Sequence, residues 1–211
     1  SGIPYTSYNV LVRASGFNSL YVADIPIYDG ERAVLPVSAI PMQERQRSPI
    51  QAVIYVGAPA VSLTGARSQE EPSGTPYILR QVVIPDPITI HLGAPSAAAA
   101  NVQVSFPDYV KNVASSEIYP TWPAAALTAN IYAIIAFALN RIYTEWYRSR
   151  NYGFDITNSP AYDQYFVYGR PIYDSISRIV DNIFDEYVRR QGQISPYFTS
   201  FCNGTTATCS G

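Results

Sequence analysis

Residues 123–148, PAAALTANIYAIIAFALNRIYTEWYR, decide the fold. Pro123 suits the first position of a helix, where a missing N–H costs nothing. Behind it Ala126, Leu127, Ile131, Ile134, Ile135, Ala138, Leu139 and Ile142 form the apolar side of a helix running to about Arg148. Its early part is apolar almost all round, which marks a central helix rather than a surface one. The longest unbroken apolar run, Ile131 to Leu139, is half of what a bilayer requires, so no membrane span is expected.

Working outward, Asp108 can open a short helix that runs through Glu117 and is ended by Pro120. A third helix is expected from near Ile172. There Ile172, Ile176, Ile179, Val180, Ile183, Phe184 and Tyr187 fall on one stripe, with Gly192 as its stop. Ile194 to Phe201 reads as a strand. Before residue 106 the chain changes character: eleven of the 17 prolines occur there and helical periodicity is missing. Tyr8 to Arg13, Tyr21 to Tyr28 and Ala33 to Ile40 read as strands, with Asp29-Gly30 as a hairpin turn between the last two. Residues 42–76 read as a polar linker holding the candidate strand Ile50 to Val56. Tyr77 to Ile84 is a further candidate strand, and Ile88 to Leu92 alternates cleanly.

The expected class is α+β: an N-terminal β-rich segment, a partial β-sandwich over residues 1–41, then an extended linker with strands over 42–105. A mostly helical domain with a few strands follows over 106–211. Three strands with Val10, Val12, Ile25 and Ile27 on their apolar faces need a cover, since so small a sheet is marginal alone. The cover must come from residues 42–105, from the helical half or from another chain; another chain is the favoured cover, which implies self-association through the N-terminal strands.

Of the 211 residues, 47% are apolar and only 14% charged, which excludes a disordered chain. The net charge is −2, and Lys111 and the thirteen arginines are scattered, so no nucleic-acid partner is expected. Eighteen tyrosines with so little charge suit an extracellular surface that stacks on sugars or on other subunits. The start at Ser1-Gly2 without Met reads as a processed product or an excerpt. His91 stands alone on its strand, and Asp155, Asp163 and Asp174 are too far apart for a metal loop, so neither a metal nor a cofactor is implied. Cys202 and Cys209 are the only cysteines. In an oxidising compartment they would close a small disulfide loop; free thiols or half of a zinc site are the alternatives.

Within residues 108–211 three pieces occur in order. The first is Asp108-Tyr109-Val110-Lys111-Asn112-Val113-Ala114-Ser115-Ser116-Glu117-Ile118-Tyr119-Pro120-Thr121-Trp122-Pro123, leading into Ala126-Leu127. The second is Asp155-Ile156-Thr157 with Gln164-Tyr165, and the third is Phe198-Thr199-Ser200-Phe201-Cys202-Asn203-Gly204-Thr205. Together they resemble the stage II sporulation protein D family, which includes amidase enhancers. The resemblance implies a lytic transglycosylase acting on peptidoglycan glycan strands at the cell wall or spore surface of a spore-forming bacterium, with Glu117 as catalytic acid. A protonated carboxyl gives its proton to the glycosidic oxygen, and the sugar's own 6-hydroxyl closes on the anomeric carbon. One carboxyl therefore suffices, provided it is partly buried among apolar groups. Tyr119 and Trp122 are expected to stack on sugar rings, and Gln164 to line a glycan cleft. The chain departs from the family pattern at Asn130 and Ile135, where Gln and Arg are usual. It departs again at Thr199, where a His is usual, so a zinc site using that His would lack a ligand. A usual glycine is also replaced near Asp185, where the third helix is expected to continue. A glycan-binding module without turnover is a further reading. The alternative from another class is a structural subunit of an extracellular filament that reuses the fold without catalysis. For Glu117 itself the alternative is a structural residue at a helix C-terminus bonded to a loop backbone. A cleft at Glu117 favours the enzyme; a Glu117 covered by packed side chains or by another subunit favours the scaffold.

If Cys202 and Cys209 are bonded, the unfolded chain shows no free thiol until it is reduced, and reduction lowers stability by roughly 2–3 kcal/mol. Two titratable thiols before reduction would exclude the bond.

Overall fold

A computed structural model describes residues 3–42, 50–60 and 78–199. Cys202 and Cys209 lie outside them. The order is β1 (Thr6–Val12), β2 (Ser19–Ile27), β3 (Ala33–Val34), β4 (Ile50–Tyr55), β5 (Ile88–His91), β6 (Asn101–Val104), α1 (Phe106–Glu117) and α2 (Ala124–Tyr143). A short 3₁₀ turn at Arg148–Arg150, β7 (Ile156–Thr157), β8 (Ile172–Tyr173) and α3 (Asp174–Ile183) complete it. The class is α+β, strands first and helices after, as the sequence indicates.

Helix α1 begins two residues before the expected Asp108, because Ser105 rather than Asp108 is its cap. Ser105 accepts from the Asp108 N–H, and Pro107 sits in the first turn. Helix α2 is the central one. Ile131, Ile134, Ile135, Phe137 and Leu139 are fully buried against α1 and α3, and Phe106, Tyr109, Val110 and Val113 complete the core from α1. By composition and length the stretch Ala124–Arg150 could cross a bilayer, but half of its most apolar window is buried inside the fold, as in a core helix. The helix ends at Tyr143 rather than near Arg148. Glu145 takes a left-handed φ of 45°, and the Trp146 N–H turns back to the Arg141 carbonyl.

Three small sheets surround this core, ordered β1-β2-β4, β3-β8 and β6-β5-β7. In the first, β1 runs antiparallel to β2 and β4 runs parallel to it, so the segment read as a linker supplies a strand. Opposite Asn9, β2 carries an irregularity with Asp24 at φ 57°, and the Asn9 side chain accepts from the Asp24 N–H. Val22 and Ile25, three apart, would face opposite ways in a regular strand; the extra residue lets both turn inward. Val56 and Leu35 pack beneath them. Much of the cover expected from another chain therefore comes from this one: Ile25 is buried and Val10 and Val12 half-buried, whereas Ile27 stays exposed.

Other expectations are corrected. The strand expected over Ala33 to Ile40 shrinks to two residues, because Pro36 cannot donate to a ladder. Those two residues pair with β8 rather than with β2, so Asp29-Gly30 is a turn but not a hairpin turn. Ile172 and Tyr173 belong to that pairing, so α3 starts only at Asp174. It ends at Ile183, before Asp185, and Gly192 (φ 80°) instead turns a loop closed by the Tyr197 N–H on the Val188 carbonyl. Ile194 to Phe201 accordingly contributes only an isolated bridge among the described residues. Residues 78–84 form no strand; Val82 and Ile84 pack on the core from an irregular segment. Finally, β5 is buried at every residue rather than at alternate ones, because both of its faces are covered: Ile88 and Ile90 by the core, Thr89 by Gln103 and Arg148, and His91 by Asn101 and Phe154.

Shortening Ile134 to Ala should lower unfolding free energy by about 2–5 kcal/mol in urea, because a fully enclosed site cannot collapse onto the void. The exposed Ala129→Ser on the same helix should change it by no more than about 0.5 kcal/mol.

Candidate functional site

Glu117 occupies the last turn of α1 and is only 7% exposed. Its Oε1 accepts the Tyr165 backbone N–H at 2.8 Å, a contact between positions 48 apart in sequence. The same face of α1 holds two further groups that bind the chain beyond it. Asn112 donates from Nδ2 to the Val167 carbonyl at 2.8 Å, and its Oδ1 accepts the Val167 N–H at 2.9 Å. Tyr109 donates to Gln164 Oε1 at 3.0 Å, and Gln164 Nε2 donates to the Ile134 carbonyl of α2 at 3.2 Å. Buried polar atoms need partners, and here these side chains satisfy a loop that has no regular ladder of its own.

Asp163 anchors that loop to α2. Its Oδ1 accepts Arg141 Nε at 2.8 Å. Its Oδ2 accepts the Tyr147 hydroxyl at 2.6 Å, the Thr157 N–H at 2.9 Å and the Thr157 hydroxyl at 2.7 Å. Arg141 also donates to the Tyr162 carbonyl, and its guanidinium lies 4.3 Å from the centroid of Trp146 and 5.0 Å from that of Phe198. Burial, followed by the adjacent Asp163 carboxylate, pushes the Tyr147 phenol well above its ordinary 10.0.

Beyond Glu117 the chain turns through Tyr119 and Trp122, with the Trp122 N–H on the Tyr119 carbonyl and the rings 6.0 Å apart. Both are half-buried. Tyr119 also meets Tyr28 edge-on at 6.1 Å. Glu117, Tyr119 and Trp122 thus lie together at the end of α1. Gln164 is 2% exposed, with both ends of its amide engaged in the core, so it fixes the loop behind Glu117 rather than facing a cleft. Shallow depressions elsewhere, one lined by Arg13, Phe17 and Met42 and one by Arg80, Asp185 and Tyr187, do not reach Glu117.

The positions departing from the family pattern have structural roles. Asn130 donates to the Ala126 carbonyl within its own helix, Ile135 is fully buried, and Thr199 donates to the Ala133 carbonyl at 2.6 Å. His91 is held by Asn101 Oδ1 at 2.8 Å and the Ala94 carbonyl at 3.1 Å, stacked on Phe154. Among the described residues no group of three His, Cys, Asp or Glu side chains is placed to hold a metal ion. Sequence reasoning missed Asn112, Arg141 and the Tyr165 amide. Arg141 had a signal, a lone charge late in an apolar helix, because such a charge is buried only with a partner. The Tyr165 amide had none, since a backbone N–H is common to almost every residue.

Compared with protein-family models, curated proteins and solved structures, the chain matches none.

Asp163→Ala should cost about 3–5 kcal/mol in a urea melt, because it leaves Arg141 buried without its carboxylate, and Asp163→Asn should cost less. At alkaline pH the folded chain holds a proton on Tyr147 that the unfolded chain releases. Stability should therefore fall as pH rises above the ordinary phenol value of 10.0, and Tyr147→Phe should flatten that slope.

Proposed function

We propose, on the resemblance rather than on an open cleft, that the chain cleaves peptidoglycan glycan strands as a lytic transglycosylase, with Glu117 as the acid once its cover opens to admit the sugar and with Tyr119 and Trp122 as stacking platforms for sugar rings. The observation that carries this reading is convergence. The end of α1, Gln164-Tyr165 of the second piece, and Phe198 with Thr199 of the third belong to the pieces that resemble the sporulation protein D family. They lie together around α1 and α2, with Tyr165 on Glu117, Gln164 on Tyr109 and the Ile134 carbonyl, and Phe198 on Phe137.

Glu117 is withdrawn from water and stands at the C-terminal end of α1, where the helix dipole disfavours an anion, whereas the Tyr165 N–H that it accepts favours one. The proposed role requires it to carry a proton. In the proposed reaction the Glu117 proton moves to the glycosidic oxygen as the bond from that oxygen to the anomeric carbon breaks. The 6-hydroxyl oxygen of the same sugar bonds to that carbon, and its proton passes to the Glu117 carboxylate. One product carries a free hydroxyl, the other an internal anhydro ring, and no water is consumed. The Tyr165 N–H would keep the carboxyl oriented through both transfers.

A structural subunit that keeps the fold without turnover is the second reading. The near-complete cover of Glu117 and the exposed Tyr8, Leu11, Val53 and Tyr55 on the N-terminal sheet favour it. Exposed apolar strands of this kind suit pairing with a neighbouring chain.

Purified glycan strands incubated with the protein decide between the two. The enzyme reading expects anhydro-sugar ends by mass spectrometry, and a loss of at least about 100-fold for Glu117→Gln, which still folds. Trp122→Ala should raise KM more than it lowers kcat. A chain that yields no anhydro ends and sediments as an oligomer supports the scaffold.

A further inference from the structure

Among the described residues Arg170 is the largest side chain completely enclosed by the fold, at 0% exposure. Gly169 before it has φ 80°, and a Cβ there would meet Ile54 Cδ1 at 2.7 Å, so β4 closes directly over the turn that sends Arg170 inward. Its Nε makes one long bond, 3.4 Å, to the Pro171 carbonyl. Neither Nη1 nor Nη2 has a partner at close hydrogen-bond geometry, and none of the ion pairs among the described residues includes it. The groups that act on the guanidinium are phenols: Tyr173, by charge and as a loose hydrogen-bond partner, then Tyr165 and Tyr28. Tyr173 already donates to the Pro26 carbonyl at 3.1 Å, whereas the buried Tyr28 hydroxyl has no partner. Burial pushes the Tyr28 phenol above its ordinary range, and Tyr173 is likewise raised by burial, so neither phenol supplies a negative charge.

A guanidinium stays charged in proteins and offers donors in a planar fork; a neutral phenol adds another donor. Enclosing such a cation with no countercharge costs several kcal/mol. Buried polar groups left without partners point to an ion or a water as the missing neighbour. A phenol oxygen or a water can accept from the guanidinium but brings no charge; an anion supplies both an acceptor and the missing countercharge. We propose that Arg170 and the Tyr28 hydroxyl form a buried receptor for one small monovalent anion, of the halide or formate class, at the seam between the N-terminal sheet and the helical core. It owes nothing to the chemistry assigned to Glu117: a structural anion there would fasten β2 and β4 to β8 in enzyme and scaffold alike.

Thermal melts of the whole chain at constant ionic strength test this, with sodium gluconate replaced stepwise by sodium chloride and, separately, by sodium formate. The wild type should gain several degrees in Tm along a saturating curve, and Tyr28→Phe should need more anion for the same gain. Arg170→Met should show no saturable gain, and in gluconate alone it should melt above the wild type, because the unpaired charge is gone. Glu117→Gln should follow the wild type, which separates this site from the proposed acid. If Arg170→Met does not fold, chloride-35 line broadening on the wild type, reduced by Tyr28→Phe, carries the test. Equal anion dependence in wild type and Arg170→Met, or chloride broadening indifferent to Tyr28→Phe, would overturn the proposal in favour of water or of weak surface binding.

Discussion

The carboxylate of Asp163 is the constraint on which the site rests. It is buried, and four donors from three places in the chain converge on it: Arg141 from α2, Tyr147 from the turn after α2, and the amide and hydroxyl of Thr157 from β7. A buried charge is tolerable only when its hydrogen-bonding capacity is filled. Filling it fixes the start of the 158–171 loop on α2, and Asn112 fixes the middle of the loop on α1. Between those two anchors the Tyr165 amide has one place to go, the Glu117 carboxyl.

That loop transmits order in both directions along the chain. Its far end leads through Gly169 and Arg170 into β8, which pairs with β3 and brings the N-terminal sheet against the helical core. Tyr28, just after β2, packs against Tyr119, two residues past Glu117, and against Tyr173 in β8. Neither the N-terminal strands nor the end of α1 is therefore packed independently. The linker-like middle of the chain joins in through β4 and through the Ala60 N–H on the Ser116 carbonyl. A division into a sandwich remnant, a linker and a helical domain follows the composition, but the packing runs across it.

The helices were legible because their signals are local. Pro120 and Pro123 punctuate the α1–α2 junction, and the apolar stripe of α2 needs only the 3.6-residue period to be seen. With them came the position of Glu117 and its neighbours Tyr119 and Trp122. The strands were less legible because pairing partners lie far away: Ala33 and Val34 find Ile172 and Tyr173, which the helical stripe had claimed for α3. The inward turn of both Val22 and Ile25 depends on the irregularity at Asp24, which no alternation pattern reveals. The loop around Glu117 was least legible of all. It is held by side-chain to backbone bonds between positions 48 and 55 apart, and Gln164, polar and therefore read as exposed, is one of its buried struts.

Amide hydrogen exchange at Tyr165 tests the dependence of the site on this buried network most directly. In the wild type the Tyr165 amide should exchange as slowly as core amides of α1 such as Val113. In Asp163→Asn it should exchange markedly faster while Val113 stays protected, because the loop loses its anchor and α1 does not. A Tyr165 amide that exchanges at the rate of an open loop in the wild type, or that is unmoved by Asp163→Asn, would contradict the account.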